Sequence, residues 1–217
     1  MTPLLRRLAA TTVAGGLLAC SGTAAHAEQW WGRDAAHDAT EWSYSPEPEP
    51  CGTLTEHDRP REAATDILGL GVRHDGATIE LSTRLRDASP WRGTLLSFVL
   101  DTPRASDSVH EVNVQRARPG GSLEAILYSS HIGEPDACGA AGGGGRGLPC
   151  DLAVTGPSTR GAVTVRVPRS CLGRPRWVRV GASTLRDEGR ALRGDTWGRG
   201  TADAPYGPFG PRVAHGS

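Results

Sequence analysis

From Asp66 onward, apolar residues return at every second position, and that rhythm leaves no room for a long helix. Leu68, Leu70 and Val72 alternate with smaller neighbours, His74-Asp75-Gly76-Ala77 intervenes, and Ile79, Leu81, Thr83 and Leu85 resume the alternation. A period of two sends successive side chains to opposite faces of a strand. Asp-Gly between two such runs predicts a hairpin, because Gly adopts the positive φ that a tight turn requires. "TLLSFVLD" (94–101) is apolar on both faces, as a strand covered on both sides would be. Val109–Arg116 and Leu123–Tyr128 flank "RPGG" as a second hairpin, and "DLAV" (151–154) and "AVTVRV" (162–167) flank "TGPSTRG" as a third. "WVRVGAS" (177–183) reads as the last strand before a Gly/Pro-rich tail. No stretch of ten residues carries an apolar stripe of helical period. Seven or eight strands of this kind predict an all-β, antiparallel two-sheet β-sandwich, jelly-roll-like in outline. Each half-buried strand has one apolar face, and a second sheet is what hides it.

Ahead of the alternating region, residues 28–64 show little sustained period and run into charged and Pro-rich stretches. They are expected to form an irregular N-terminal wrap with one strand at Thr40–Tyr44. Residues 65–217 form the sandwich. Residues 1–27 carry Arg6 and Arg7, an apolar run over Leu8–Ala19 and the small-x-small triplet Ala25-His26-Ala27, which together read as a signal peptide. The apolar run is too short to span a bilayer, and no later stretch is longer. The expected location is therefore extracellular. Leu17-Leu18-Ala19-Cys20 also resembles a lipobox, and a chain lipid-anchored at Cys20 is the alternative. All 24 basic residues are Arg, set against 24 acidic ones. Loss of the leader would leave a balance close to neutral, which points to no nucleic-acid partner. A monomer is expected.

The cysteines follow from the compartment. Cys20 falls in the leader, leaving Cys51, Cys138, Cys150 and Cys171, an even set that predicts two disulfides in an oxidising environment. Four cysteines allow three connectivities. Cys150 and Cys171 bracket the third hairpin, which favours Cys150–Cys171 with Cys51–Cys138. The competing arrangement closes "CGAAGGGGRGLPC" (138–150) on itself through Cys138–Cys150, with Cys51–Cys171. Zinc spacing is absent, since the nearest cysteines stand 12 positions apart. The Gly-rich loop lacks the Gly-Lys-Ser/Thr ending of a phosphate cradle.

Candidate chemistry is sparse. There is no Gly-x-Ser-x-Gly, His-Glu-x-x-His or Ser-x-x-Lys, so no catalytic residue is assigned. Asp34, Asp38 and Asp66 are hard oxygen ligands in loops and form a candidate Ca²⁺ set. No other cofactor is indicated. Six tryptophans among eleven aromatics are unusual. Exposed rings at a sandwich surface stack on sugars, and Trp42, Trp91, Tyr128, Trp177 and Trp197 are the candidates for ligand contact. The plain alternative is that most of them plug the ends of the sandwich. Trp177 shares a strand face with Arg179, whose guanidinium is expected to pack on the ring.

The segments "DAAHDATEW…TDILGLGVRHDGATIELSTRLRD", "VTVRVPRSCLGRPRWVRVG" and "GPFGPRVAHG" resemble secreted actinobacterial proteins with a DOMON-like or carbohydrate-binding-module-like β-sandwich. The resemblance covers roughly residues 34–216 and implies fold and location far more than activity. His37 stands where the Asp-x-x-Gly-Asp motif of these proteins has Gly. The reading that follows is a secreted, non-catalytic binding protein for an extracellular polysaccharide or cell-wall component. A hydrolase with a dispersed acid/base pair and a structural or inhibitory protein acting through its loops are the alternatives.

Overall fold

The computed structural model describes residues 28–46, 52–88, 91, 93–103, 108–116, 118, 120–131, 145–158, 160–189, 191–198 and 208–216. Among these the chain is all-β, with two antiparallel sheets and a single 3₁₀ turn at Arg169–Leu172. The first sheet has five strands in the order β1 (Glu28–Arg33), β4 (Ile67–His74), β5 (Thr78–Leu85), β11 (Ala162–Pro168) and β10 (Ala153–Thr155). The second begins with β3 (Thr53–Asp58), β2 (Thr40–Ser45), β13 (Leu192–Thr196) and β12 (Trp177–Asp187). It continues through β6 (Thr94–Asp101), β7 (Ser108–Arg116), β8 (Leu123–His131) and β9 (Gly145–Gly147), with β14 (Val213–Ala214) attached to β12.

The three expected hairpins are present as β4–β5, β7–β8 and β10–β11. Their inward positions form the core: Leu70 and Val72, Ile79 and Leu81, Val163, Val165 and Val167 face Leu96, Phe98 and Leu100, Val112 and Val114, Val178 and Val180. Each such side chain contributes roughly 1.5–3 kcal/mol by leaving water. Asp75 secures the first turn by accepting from the Ala77 and Thr78 N–H groups. Pro168 ends β11, and Gly173 at φ 69° turns the chain toward β12.

Fourteen strands are present among the described residues, rather than seven or eight. The additions lie where alternation is weakest. Residues 28–64 hold β1, β2 and β3, not one strand in an irregular wrap, and β13 and β14 follow the strand expected to be last. The tail of the Gly-rich stretch forms β9 against β8. One disulfide is described, Cys150–Cys171, with Cα atoms 6.1 Å apart. Cys51 and Cys138 lie outside the described residues, as do residues 1–27 with Cys20 and the expected signal peptide. No helix among the described residues is long and apolar enough to cross a membrane.

The two described ends of the fold meet. Ala214 N–H donates to the Glu28 carboxylate at the start of β1, and His215 N–H donates to the Arg176 carbonyl.

Candidate functional site

Two places on this framework carry concentrated chemistry. The first is an acidic cluster at the seam between the sheets. Asp34 follows β1, Asp38 precedes β2, Asp66 precedes β4, and Asp195 faces inward from β13, paired with buried Thr184. One carboxylate oxygen from each of Asp38, Asp66 and Asp195 lies within 4.8 Å of the other two. Asp66 is 0% exposed and Asp195 3%. The Ile67 N–H donates to Asp195 Oδ2 at 2.8 Å, tying β4 of one sheet to β13 of the other. His37 N–H donates to Asp66 Oδ2 at 2.8 Å, and Arg86 Nε stands 2.9 Å from the same oxygen. Asp66 Oδ1, fully buried, has no hydrogen-bond partner. Asp34 accepts from Ala35 N–H and Gly198 N–H.

Electrostatically the cluster is governed by burial, with like-charge repulsion added. Burial, aided by Asp38 and Asp34 nearby, pushes the Asp195 carboxyl up to about 7. Burial likewise raises Asp34 to about 6, with Asp38 and Asp66 adding like-charge repulsion. Asp66 is raised by burial against the lowering effect of the His37 N–H and Arg86. His37 holds φ 74°, a left-handed conformation suited to Gly, and this aims its N–H at Asp66. The structure thus brings Asp34, Asp38 and Asp66 together, and adds Asp195. Asp195 lies 129 positions from Asp66 in sequence, within "RGDTWG", and no local pattern marks it. Only the register of β13 against β12 turns it inward.

The second place is an aromatic shelf on the outer face of the five-stranded sheet. In β1, Trp30 pairs with Val72 and points inward, whereas Trp31 pairs with Gly71 and points outward. Trp31 is 50% exposed. Its ring lies on the backbone of β4: a Cβ placed on Gly69 would stand 2.6 Å from Trp31 Cζ2, and one on Gly71 2.5 Å from Cε3. Register then lines up Gly71, Ser82, Thr164 and Thr155 across the sheet beside the ring. Four inter-strand steps make this row about 19 Å long. Arg73, Glu80 and Arg166 form the adjacent row, with Arg166 Nε 2.9 Å from Glu80. The depression at the Trp31 end is about 480 Å³ and is lined by Gln29, Trp31, Gly71, Arg73, Glu80 and Ser82.

The aromatics singled out from the sequence are distributed differently. Trp91 is 4% exposed and belongs to the core, so it offers no ligand surface. Trp197 packs edge-on against Trp30 with centroids 5.2 Å apart, and both plug the core. Trp177 is half-buried, but the guanidinium over its ring is that of Arg212, at 4.4 Å, rather than that of Arg179. Arg179 turns to Asp101 at 2.7 Å and to the Phe209 ring. Tyr128 is half-buried beside the β9 glycines. Trp42, half-buried, packs over Gly194 on the outer face of the larger sheet, opposite Leu192. Trp31 therefore has the most open ring of these tryptophans, and no local pattern marks it, because it sits in a segment without visible period.

A further depression of about 460 Å³ is lined by Arg59, Pro60, Arg61, Glu62 and Arg193. Its charges are largely spent on one another: Glu41 holds Arg59 and Arg193, and Arg193 also reaches Glu62 and Glu188. Comparison with protein-family models, curated proteins and solved structures finds no match for this chain.

Proposed function

We propose that the protein is a secreted, non-catalytic binding protein that holds a polysaccharide or cell-wall glycan on the outer face of its five-stranded sheet. The observation that carries this reading is the Trp31 ring lying flat on Gly69 and Gly71 with half its surface open. A sugar presents an apolar C–H face and a polar edge, and an aromatic plane beside hydrogen-bonding groups matches both. Ser82 and Thr164 offer hydroxyls along the row, and Gln29, Arg73 and Glu80 border the ring. The raised carboxylates of the seam do not line this depression, which favours binding over hydrolysis at the shelf. The leader-like residues 1–27 and a disulfide, a bond that persists in oxidising compartments, support an extracellular location.

The test is retention on insoluble polysaccharides and on peptidoglycan. The native protein is expected to be retained on at least one of them. Trp31→Ala is expected to weaken that retention at least tenfold, about 1.4 kcal/mol, with an unchanged circular dichroism spectrum. Trp42→Ala, on the other sheet, is expected to bind as the native protein does. Retention on none of these materials, or undiminished retention of Trp31→Ala, would overturn the reading.

A further inference from the structure

We infer that Asp38, Asp66 and Asp195, with Asp34 beside them, bind one calcium ion that pins the two sheets together at their seam. This goes beyond glycan binding and does not depend on it. Three carboxylate oxygens converge within 4.8 Å of one another from three separate segments. Oxygens this close can share one cation, and calcium takes oxygen ligands at about 2.3–2.6 Å in a flexible shell, whereas magnesium demands a near-ideal octahedron at about 2.0–2.1 Å and gives up its water reluctantly. The donors are all hard oxygens, which suits calcium and not the softer transition metals.

The independent sign of a ligand is Asp66. It is 0% exposed, its Oδ2 is taken by the His37 N–H and Arg86, and its Oδ1 has no hydrogen-bond partner. A buried carboxylate oxygen with no donor is costly, and a cation seated among the three carboxylates removes that cost. Four carboxylates gather here among the described residues, and Arg86 pairs with Asp66. Buried charge of one sign persists when it is paired or coordinates a metal.

The position defines what the ion does. Asp66 leads into β4 of the five-stranded sheet, whereas Asp195 lies in β13 of the larger one and Asp38 leads into β2 beside it. An ion held by all three links the layers where Ile67 N–H already donates to Asp195. Calcium takes six to eight oxygens, so water completes the shell.

The experiment is calorimetric titration of chelator-treated protein with CaCl₂ and, separately, MgCl₂, followed by thermal melts in each. One calcium site is expected, with a melting temperature raised by roughly 5 °C or more at saturation and magnesium at least tenfold weaker. Asp38→Asn and Asp195→Asn are each expected to lower calcium affinity at least tenfold, while Asp151→Asn, an exposed carboxylate outside the cluster, leaves it unchanged. Should Asp195→Asn fail to fold, Asp38→Asn in the connecting loop carries the comparison. Absence of calcium binding by the native protein, affinity unchanged in the cluster variants, or magnesium bound as tightly as calcium would overturn the inference. Polysaccharide retention is not read here, so either proposal can fail alone.

Discussion

At Gly71 the absent side chain does two jobs, leaving room for the Trp31 ring and for the Ser82 hydroxyl. Gly71→Ala is expected to lift the ring, cost about 1–3 kcal/mol through overpacking, and weaken glycan retention. Denaturant melts and the retention assay read the two effects separately. His74 makes a different residue-scale prediction. Its ring is buried, its Nδ1 donates to the Val213 carbonyl, and its Nε2 has no partner. Burial holds its pKa below 6.5, with Arg169 and His215 adding to the lowering, while Asp75 opposes it. The unfolded chain therefore takes up this proton first as pH falls, so the contribution of His74 is lost below pH 6.5, by at most about 1.4 kcal/mol per pH unit. Asp34 and Asp195 act in the opposite sense, because their folded values of about 6 and about 7 exceed 3.8. In metal-free protein they favour the folded state as pH falls. Comparison with His74→Gln isolates the histidine: the stability gap between native and variant should narrow from pH 7.5 to pH 5. A gap that stays constant or widens would contradict it. At this scale the sequence was only partly readable. Asp34, Asp38 and Asp66 could be named as a set, but Asp195 and the outward turn of Trp31 depend on register between strands remote in sequence.

Elements that bury an apolar face were readable, and elements that do not were missed. β4, β5 and β11 alternate because their inward residues meet the core. All six residues of β3 are exposed, so it has no apolar face to betray it, and it exists by backbone pairing with β2. β1 places Trp30 inward and Trp31 outward, which erases the hydrophobic contrast that marks a strand. Short or charged edges of this kind limit pairing with other chains, as Glu56, His57 and Asp58 do on β3 and three residues do on β9 and β10. The bridge belongs to this scale too. Cys150 precedes β10 and Cys171 sits in the 3₁₀ turn after β11, so the disulfide closes the foot of an edge hairpin across a separation of 21 residues. Replacing both cysteines by Ser is expected to cost about 3 kcal/mol, read as a lower urea midpoint. A midpoint unchanged from the native protein would show that the hairpin holds without it.

The two sheets are unequal, and the mismatch shapes the whole molecule. Five strands face nine, so the larger sheet extends past its partner. Leu54, Tyr44 and Leu192 on its outer face keep substantial exposure. The smaller sheet presents the Trp31 row on its own outer side, and the acidic seam joins the layers at one end. Meanwhile the described ends of the chain are already neighbours, since Ala214 donates to Glu28. A short linker from residue 216 to residue 28 would close the fold into a ring without stretching it. Opening that ring at the exposed Gly120-Gly121 turn between β7 and β8 is then expected to yield a circular permutant that folds and retains its ligand. In such a molecule the turn between β7 and β8 becomes the new beginning and end, and the corner where the strands now start and finish becomes an ordinary loop.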